Sequence, residues 1–295
     1  MWFYPVSRRE LLDEIKPGWR KQALQKTREN RRQRALVHSS NTWSKIKDVY
    51  LTRQSHKCIF CEMKILIRGK ANSDVEHFRP KGKVAQWPKA GAPQYPFPTG
   101  GGQATGYYWL AYDPFNYAAS CKHCNSALKQ YTFPILGARG LAHASIAKLN
   151  AQEQPLLLFP FGPWGDNPAN YFEFNHVLMV PKAGIGDIAR QRAEVTIRFF
   201  DLNDEKFVLP ERHNKVVLLF ELYQALLGVG GMNPGNGGLA LSIMLDSGSS
   251  QAFFAHSYFG SLRSVDATVQ RRARDDYFLS QAYHRTKGIR PVVVA

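Results

Sequence analysis

The stretch that decides the fold lies at residues 120–129 and reads Ser-Cys-Lys-His-Cys-Asn-Ser-Ala-Leu-Lys. Its Cys121 and Cys124 are separated by two residues, and the two remaining cysteines of the chain, Cys58 and Cys61, have the same spacing. A Cys-x-x-Cys turn presents two thiolates to one side of a tetrahedral Zn²⁺, and four thiolates make a closed structural site. The sequence therefore predicts one structural zinc that joins two segments and loops out the residues between them.

Each cysteine pair alone also has a redox interpretation, because Cys-x-x-Cys is the motif of disulfide oxidoreductases. Here two pairs occur together, without the pattern of strands and helices expected of a thioredoxin-like unit. Cytosolic thiols also stay reduced and bind metal more often than they form disulfides. Zinc is the preferred interpretation, and a redox protein would instead form a reversible disulfide and bind little zinc.

Inside the looped-out segment, residues 74–81 read Asp-Val-Glu-His-Phe-Arg-Pro-Lys. Val75 and Phe78 predict a short strand that carries Glu76 and His77. A neutral imidazole can take a proton from water, and the adjacent carboxylate can hold a hard divalent cation. The chain has nine histidines, so an acid beside one of them can arise by chance. The position of this pair between the cysteine pairs favours a hydrolytic site.

The residues after Cys121 predict a helix with two different faces. Asn125 and Lys129 are four apart and share one face, whereas Cys124 and Leu128 lie with Cys121 on another. We expect the cysteine face to hold zinc and the other face to meet substrate. A helix cap for Asn125 and a solvated charge for Lys129 remain the alternatives.

Helical patterns flank this central region on both sides. Ser7 and Glu10 form a capping box, and helices are predicted over residues 19–36, 41–54, 187–202 and 205–227. Trp43, Ile46, Val49 and Tyr50 mark the buried face of the second of these, and Pro210 should start or kink the last.

The predicted fold class is α+β and mainly helical, with a small zinc-stapled core surrounded by helices. We expect an N-terminal helical region at 1–55, a zinc-stapled core at 56–150 and a helical C-terminal region at 151–295. Residues 228–238 contain six glycines and one proline and predict a flexible segment.

The charge of the chain indicates a polyanionic partner. Lys and Arg outnumber Asp and Glu by 39 to 23, a formal net charge of +16. Such a surface attracts nucleic acid first and anionic membrane second. The sequence shows neither an N-terminal apolar signal region nor an apolar run of membrane-spanning length, so we expect a cytoplasmic protein without membrane attachment.

The order of these motifs resembles the zinc-stapled HNH endonucleases, whose active site is a ββα-metal unit of two strands and a helix. The resemblance rests on Cys58-x-x-Cys61, Glu76-His77, Asn116 and Cys121-x-x-Cys124-Asn125 with Lys129. Residues 74–81, the run Tyr-Trp-Leu-Ala-Tyr-Asp at 108–113 and the segment after Ser120 look most like the HNH subunit of Septu-type and retron-associated anti-phage systems. The likeness extends to about Leu209, and the rest of the chain resembles nothing we can name.

The resemblance implies a role for each matching residue. His77 would activate the attacking water, Glu76 and Asn125 would bind one Mg²⁺ or Mn²⁺, and Asn116 would orient the histidine loop through backbone hydrogen bonds. Arg79, Lys81 and Lys129 are candidate phosphate contacts. The commonest HNH proteins carry His at the position of Asn125 and Asp at that of Glu76, so the resemblance implies an altered ligand set and an intact mechanism.

The resemblance also implies partners. An ABC/SMC-type ATPase is expected beside the nuclease, docked on the C-terminal region, and DNA is expected as substrate rather than RNA. The competing hypothesis is a zinc-stabilised nucleic-acid-binding or adaptor module without catalysis. Such an adaptor has no need for Glu76, His77 and Asn125 together.

Overall fold

The structure is a computed structural model, and it describes residues 1–37, 42–65, 73–92, 94–140, 142–229 and 234–288. About half of the chain is helical, and two small antiparallel sheets of two strands each accompany the helices. The predicted α+β class is therefore confirmed. Within the described residues, no helix is long and apolar enough to span a membrane.

Two helices open the chain, α1 at Arg8–Glu14 and α2 at Pro17–Gln33. The predicted capping box is confirmed, because Ser7 Oγ accepts from the Glu10 amide at 3.2 Å and the Glu10 carboxylate accepts from the Ser7 amide at 2.8 Å. Pro17 takes the first position of α2, where an N–H would have no intrahelical partner. Helix α2 begins and ends slightly earlier than predicted.

The helix predicted over 41–54 is divided into two parts. A 3₁₀ turn at Thr42–Ile46 leads into α3 at Lys47–Arg53, and Asn41 lies outside the described residues. Of the four predicted core side chains, Trp43, Ile46 and Tyr50 are buried. Val49 is half-buried. The predicted face is thus correct although the helix is shorter.

The first sheet pairs β1 at Ser73–His77 with β2 at Tyr117–Cys121, and His77 lies opposite Tyr117. A π-helix at His123–Lys129 follows β2 directly. The strand predicted around the acid-histidine pair is confirmed, and the helix begins two residues after Cys121. This strand-strand-helix unit brings both cysteine-rich ends and the acid-histidine pair into one region.

The remaining elements lead away from this unit. They are α4 at Ile146–Glu153, β3 at Phe172–Asn175, β4 at Leu178–Pro181, α5 at Asp187–Phe199, α6 at Val208–Leu226, α7 at Pro234–Leu245, α8 at Ala252–Leu262 and α9 at Ala267–Thr286. Strands β3 and β4 form the second sheet. The two helices predicted over 187–202 and 205–227 are confirmed with shorter ends, and Pro210 lies in the first turn of α6 as predicted.

The predicted flexible segment at 228–238 is partly outside the described residues, which omit 230–233. From Pro234 onward the chain is helical, so the prediction is wrong for its second half. The apolar run that follows explains the difference, because Leu241 is buried in a core formed with α6 and α8. Tertiary packing there outweighs the low helix propensity of the glycines.

Two hydrophobic clusters form the core. The larger one draws side chains from Met1 to Leu202, and it crosses both predicted domain boundaries, at 55 and at 150. The smaller one draws on residues between Val177 and Ala273, chiefly from α6 and α8. Cys58 and Cys124 belong to the larger cluster, so the cysteine site is embedded in its packing.

Candidate metal centre and adjoining cavity

The four cysteines come together in space as predicted. The Sγ atoms of Cys58, Cys61, Cys121 and Cys124 all lie within 4.8 Å of one another, and all four thiols are free. Three of them are buried and Cys121 is half-buried. They form a group that could hold a metal ion such as zinc.

The geometry of the thiols suits a tetrahedral ion. Sulfurs at Zn–S distances of about 2.3 Å in a tetrahedron lie about 3.8 Å apart. Cys61 Sγ and Cys121 Sγ are 3.9 Å apart. A disulfide needs about 2.05 Å between its two sulfurs. Two of the sulfurs would therefore have to move closer together and break up the four-sulfur cluster. The donor set therefore fits a metal better than a redox couple.

Backbone hydrogen bonds shape the first cysteine turn and hold it against strand β2. The amide of Cys58 donates to the Met63 carbonyl and the amide of Ile59 donates to the Ala119 carbonyl, both at 3.0 Å. Because Ala119 lies in β2, which ends at Cys121, the two cysteine pairs are fixed to each other even before a metal contributes.

His77 lies at the end of β1 and is buried. Its Nε2 is 3.1 Å from the Ala111 carbonyl, which only accepts, so Nε2 carries the proton and Nδ1 keeps its lone pair. The rings of Trp43 and Tyr117 pack edge-on against it at centroid distances of 4.9 and 4.8 Å. Burial, followed by the charge of Lys81, lowers the pKa of His77 well below its usual value.

Glu76 is buried beside His77 and pairs with Lys129 of the π-helix. The Lys129 Nζ lies 2.5 Å from Glu76 Oε1 and donates to the His77 carbonyl at 3.0 Å. Burial raises the pKa of the Glu76 carboxyl, and the positive charge of Lys129 opposes that rise. One buried ammonium thus fixes both residues of the acid-histidine pair.

Asn116 fixes the chain that follows His77. Its Oδ1 accepts from the Arg79 amide at 2.8 Å, and its Nδ2 donates to the carbonyls of Arg79 at 3.0 Å and Leu110 at 3.3 Å. These are the backbone hydrogen bonds that the resemblance implies for Asn116.

Asn125 lies in the π-helix with its amide against β1. Its Nδ2 donates to Asp74 Oδ2 at 2.8 Å, which leaves Oδ1 of Asn125 as an acceptor. Asp74 also accepts from Lys122 at 2.7 Å and from Ser126 at 3.3 Å. Asp74 received no predicted role, although the alternation of β1 puts it on the same face as Glu76.

A polar cavity of about 380 Å³ lies beside these residues. Its lining residues are Val75, Glu76, His77, Pro80, Lys81, Asn125, Ser126, Gln130 and Tyr131. The Lys81 ammonium lies 4.6 Å from the centre of the Trp43 ring, the same ring that packs on His77. The structure therefore brings the predicted residues Glu76, His77, Asn125 and Lys81 to one cavity.

The phosphate-contact predictions for Arg79 and Lys129 are wrong. Arg79 is 1% exposed, and its guanidinium donates to Glu153 and to Asn150, each at 2.9 Å. Lys129 is fully buried and engaged by Glu76 and the His77 carbonyl. Both cations are therefore consumed by partners inside the protein. Lys81 is the predicted cation that lines the cavity.

No other cluster of three or more His, Cys, Asp or Glu ligands is found in the part of the chain that the structure describes. Glu76 and Asn125 do not belong to such a cluster.

The comparisons with known proteins return nothing. Matching of the chain to models of protein families, to curated proteins and to solved structures finds no match in any of the three.

Proposed function

We propose that this protein is a metal-dependent endonuclease of the HNH type that hydrolyses phosphodiester bonds, with a structural zinc on its four cysteines. One observation carries the proposal. In a cavity shared with Glu76 and Asn125, the Ala111 carbonyl fixes His77 in the tautomer whose Nδ1 can accept a proton.

The residues of the chain divide the chemistry among them. His77 accepts the proton of the attacking water, and the buried rings of Trp43 and Tyr117 hold the imidazole in place. Asn116 and Lys129 act as positioning residues. Asn116 accepts from the amide of Arg79, two residues after His77, and Lys129 donates to the His77 carbonyl. Lys81 supplies positive charge for the phosphate at the cavity wall.

Glu76 and Asn125 are the proposed ligands of a catalytic Mg²⁺ or Mn²⁺. When bound, such an ion supplies charge stabilisation for the phosphate and its leaving oxygen. Oε2 of Glu76 and Oδ1 of Asn125 are oxygen donors suited to a hard cation.

We also propose that the substrate is DNA, that the protein acts in anti-phage defence and that it has an ATPase partner. The net charge of +16 supports a polyanionic substrate. Large apolar side chains exposed on α7 and α9 support a docking surface in the C-terminal region, among them Leu239 at 66% and Phe278 at 60% exposure.

The test is cleavage of supercoiled plasmid and of single-stranded DNA by the purified chain with Mg²⁺ or Mn²⁺. Wild type is compared with His77→Ala and with His143→Ala, a matched control because His143 is exposed and does not line the cavity. We expect cleavage by wild type and His143→Ala only, with equal zinc content in all three. Nucleic-acid binding without cleavage by any of them, in the presence of candidate partners as well, would favour the adaptor hypothesis.

A further inference from the structure

One aromatic side chain at the cavity stands out by its exposure. Tyr131 is 52% exposed, although the aromatic rings around His77, such as Trp43 and Tyr117, are buried. It lines the same cavity as Glu76 and His77. An exposed aromatic ring beside a phosphate-binding cavity is the arrangement with which proteins stack nucleobases.

The backbone of Tyr131 is fixed relative to the acid-histidine pair. The amide of Ala85 donates to the Tyr131 carbonyl at 2.9 Å, and the amide of Thr132 donates to the Lys129 carbonyl at 2.8 Å. Lys129 is itself held by Glu76 and the His77 carbonyl. The backbone that carries the Tyr131 ring is therefore held two residues from Lys129, a buried residue of the site.

Two cations flank the ring and the cavity. The Lys83 ammonium lies 5.1 Å from the centre of the Tyr131 ring, and Lys83 is exposed. Lys81 lines the cavity beside Glu76. The ring thus has one ammonium within cation–π distance and shares its cavity with a second cation, and such positive charge suits the phosphates that flank a stacked base.

We propose that Tyr131 is a base-stacking platform next to the cleavage site, and that the substrate is single-stranded or unpaired at the bond to be cut. The bases of an intact duplex are covered by their neighbours, so only an unpaired base can place its face on Tyr131. The inference rests on the proposed nuclease function, because it takes the His77 cavity to be the phosphate site.

The test measures binding, so that it does not depend on cleavage. Fluorescence anisotropy is recorded for a labelled single-stranded 12-mer and for its fully paired duplex on the His77→Ala chain, alone and combined with Tyr131→Ala or Tyr131→Phe. Trp164→Ala is the matched control, since Trp164 is also an exposed aromatic residue and does not line the cavity. An abasic site is then moved along the 12-mer one position at a time.

We expect Tyr131→Ala to weaken single-strand binding roughly tenfold, with Tyr131→Phe and Trp164→Ala close to the parent. One abasic position should cause a similar loss on the parent and no further loss on Tyr131→Ala. The platform is overturned if the losses of affinity from the abasic site and from Tyr131→Ala add fully at every position. It is also overturned if Tyr131→Ala weakens binding of the duplex as much as binding of the single strand. A chain that cleaves plasmid yet shows no abasic coupling keeps the nuclease function and loses the platform, whereas absence of any nucleic-acid binding refutes both.

Discussion

At the scale of single residues, Lys129 connects the two halves of the candidate site. Its ammonium lies between the Glu76 carboxylate and the His77 carbonyl and has no exposed surface. Buried ion pairs add little net stability, but removing one partner leaves an uncompensated charge. The strength of this pair therefore shows in the difference between single and double substitutions.

Lys129→Met should lower the free energy of unfolding by about 3–5 kcal/mol at neutral pH, because the buried Glu76 carboxyl loses its partner. The double variant Lys129→Met with Glu76→Gln should recover much of that loss. Urea unfolding of the wild type, both single variants and the double variant measures the coupling. Losses that simply add would show that the two side chains do not interact.

Asn116→Ala should reduce cleavage about a hundredfold while zinc content stays unchanged, because small displacements of a catalytic group are costly. The substitution removes the hydrogen bonds to the Arg79 amide and carbonyl that shape the turn after His77. Asn167→Ala is the control, since Asn167 caps a distant 3₁₀ turn by accepting from the Ala169 amide. Single-turnover rates with zinc analysis give the comparison, and equal rates for both variants would exclude the positioning role.

The cysteine ligands could be predicted from the sequence because their spacing alone specifies the geometry. The burial of Arg79 and Lys129 could not be predicted, because each pairs with a carboxylate far away in the chain. Arg79 pairs with Glu153, and Lys129 pairs with Glu76. A basic residue next to a motif looks the same in sequence whether it is solvated or buried. The exposure of Tyr131 likewise has no local signal.

At the scale of elements, packing decided what the local sequence left open. The capping box of α1 and the apolar face around Trp43 follow from short-range patterns and were confirmed. The start of helix α7 was predicted too late in the chain because its first turn contains glycines, although its later residues bury Leu241. Local propensity is too weak to override such contacts.

The contact between α6 and α9 should weaken in acid. Burial, followed by the neighbouring His284, lowers the pKa of His213 to about 4. Since an unfolded histidine titrates near pH 6.5, the unfolded chain binds more protons between these values. The stability contributed by neutral His213 is therefore complete above about pH 6.5 and is lost as the pH falls toward 4.

His213→Gln serves to isolate this effect, because glutamine does not titrate. We expect wild type to lose about 1–2 kcal/mol more than the variant between pH 7 and pH 4.5. Urea unfolding at the two pH values measures the difference, in which effects common to both proteins cancel. The idea fails if the variant loses as much stability as wild type.

At the scale of the whole molecule, the C-terminal helices are joined to the cysteine site. The side chain of Gln251, directly before α8, donates to the Cys61 carbonyl at 2.6 Å and accepts from Arg212 of α6 at 3.0 Å. Lys57, next to Cys58, donates to the Ser247 carbonyl at 2.6 Å. The domain boundary predicted at residue 150 did not indicate that these hydrogen bonds join the C-terminal region to the first cysteine pair.

Gln251→Met should release zinc several times faster than wild type, because the Cys61 carbonyl and Arg212 both lose a buried partner. Gln281→Met is the control, since Gln281 donates to the Tyr277 hydroxyl within α9 at 2.6 Å. Release into a chromogenic chelator gives the rates. Identical rates in all three proteins would show that these hydrogen bonds do not support the metal site.

The most direct test of the central claim is single-turnover cleavage in ¹⁸O-labelled water by zinc-loaded wild type and His77→Ala. If His77 activates water, wild type with Mg²⁺ or Mn²⁺ gives products whose new terminal phosphate carries one ¹⁸O, and His77→Ala gives no detectable product at equal zinc content. Cleavage by His77→Ala at the wild-type rate, or wild-type products without ¹⁸O, would contradict the account.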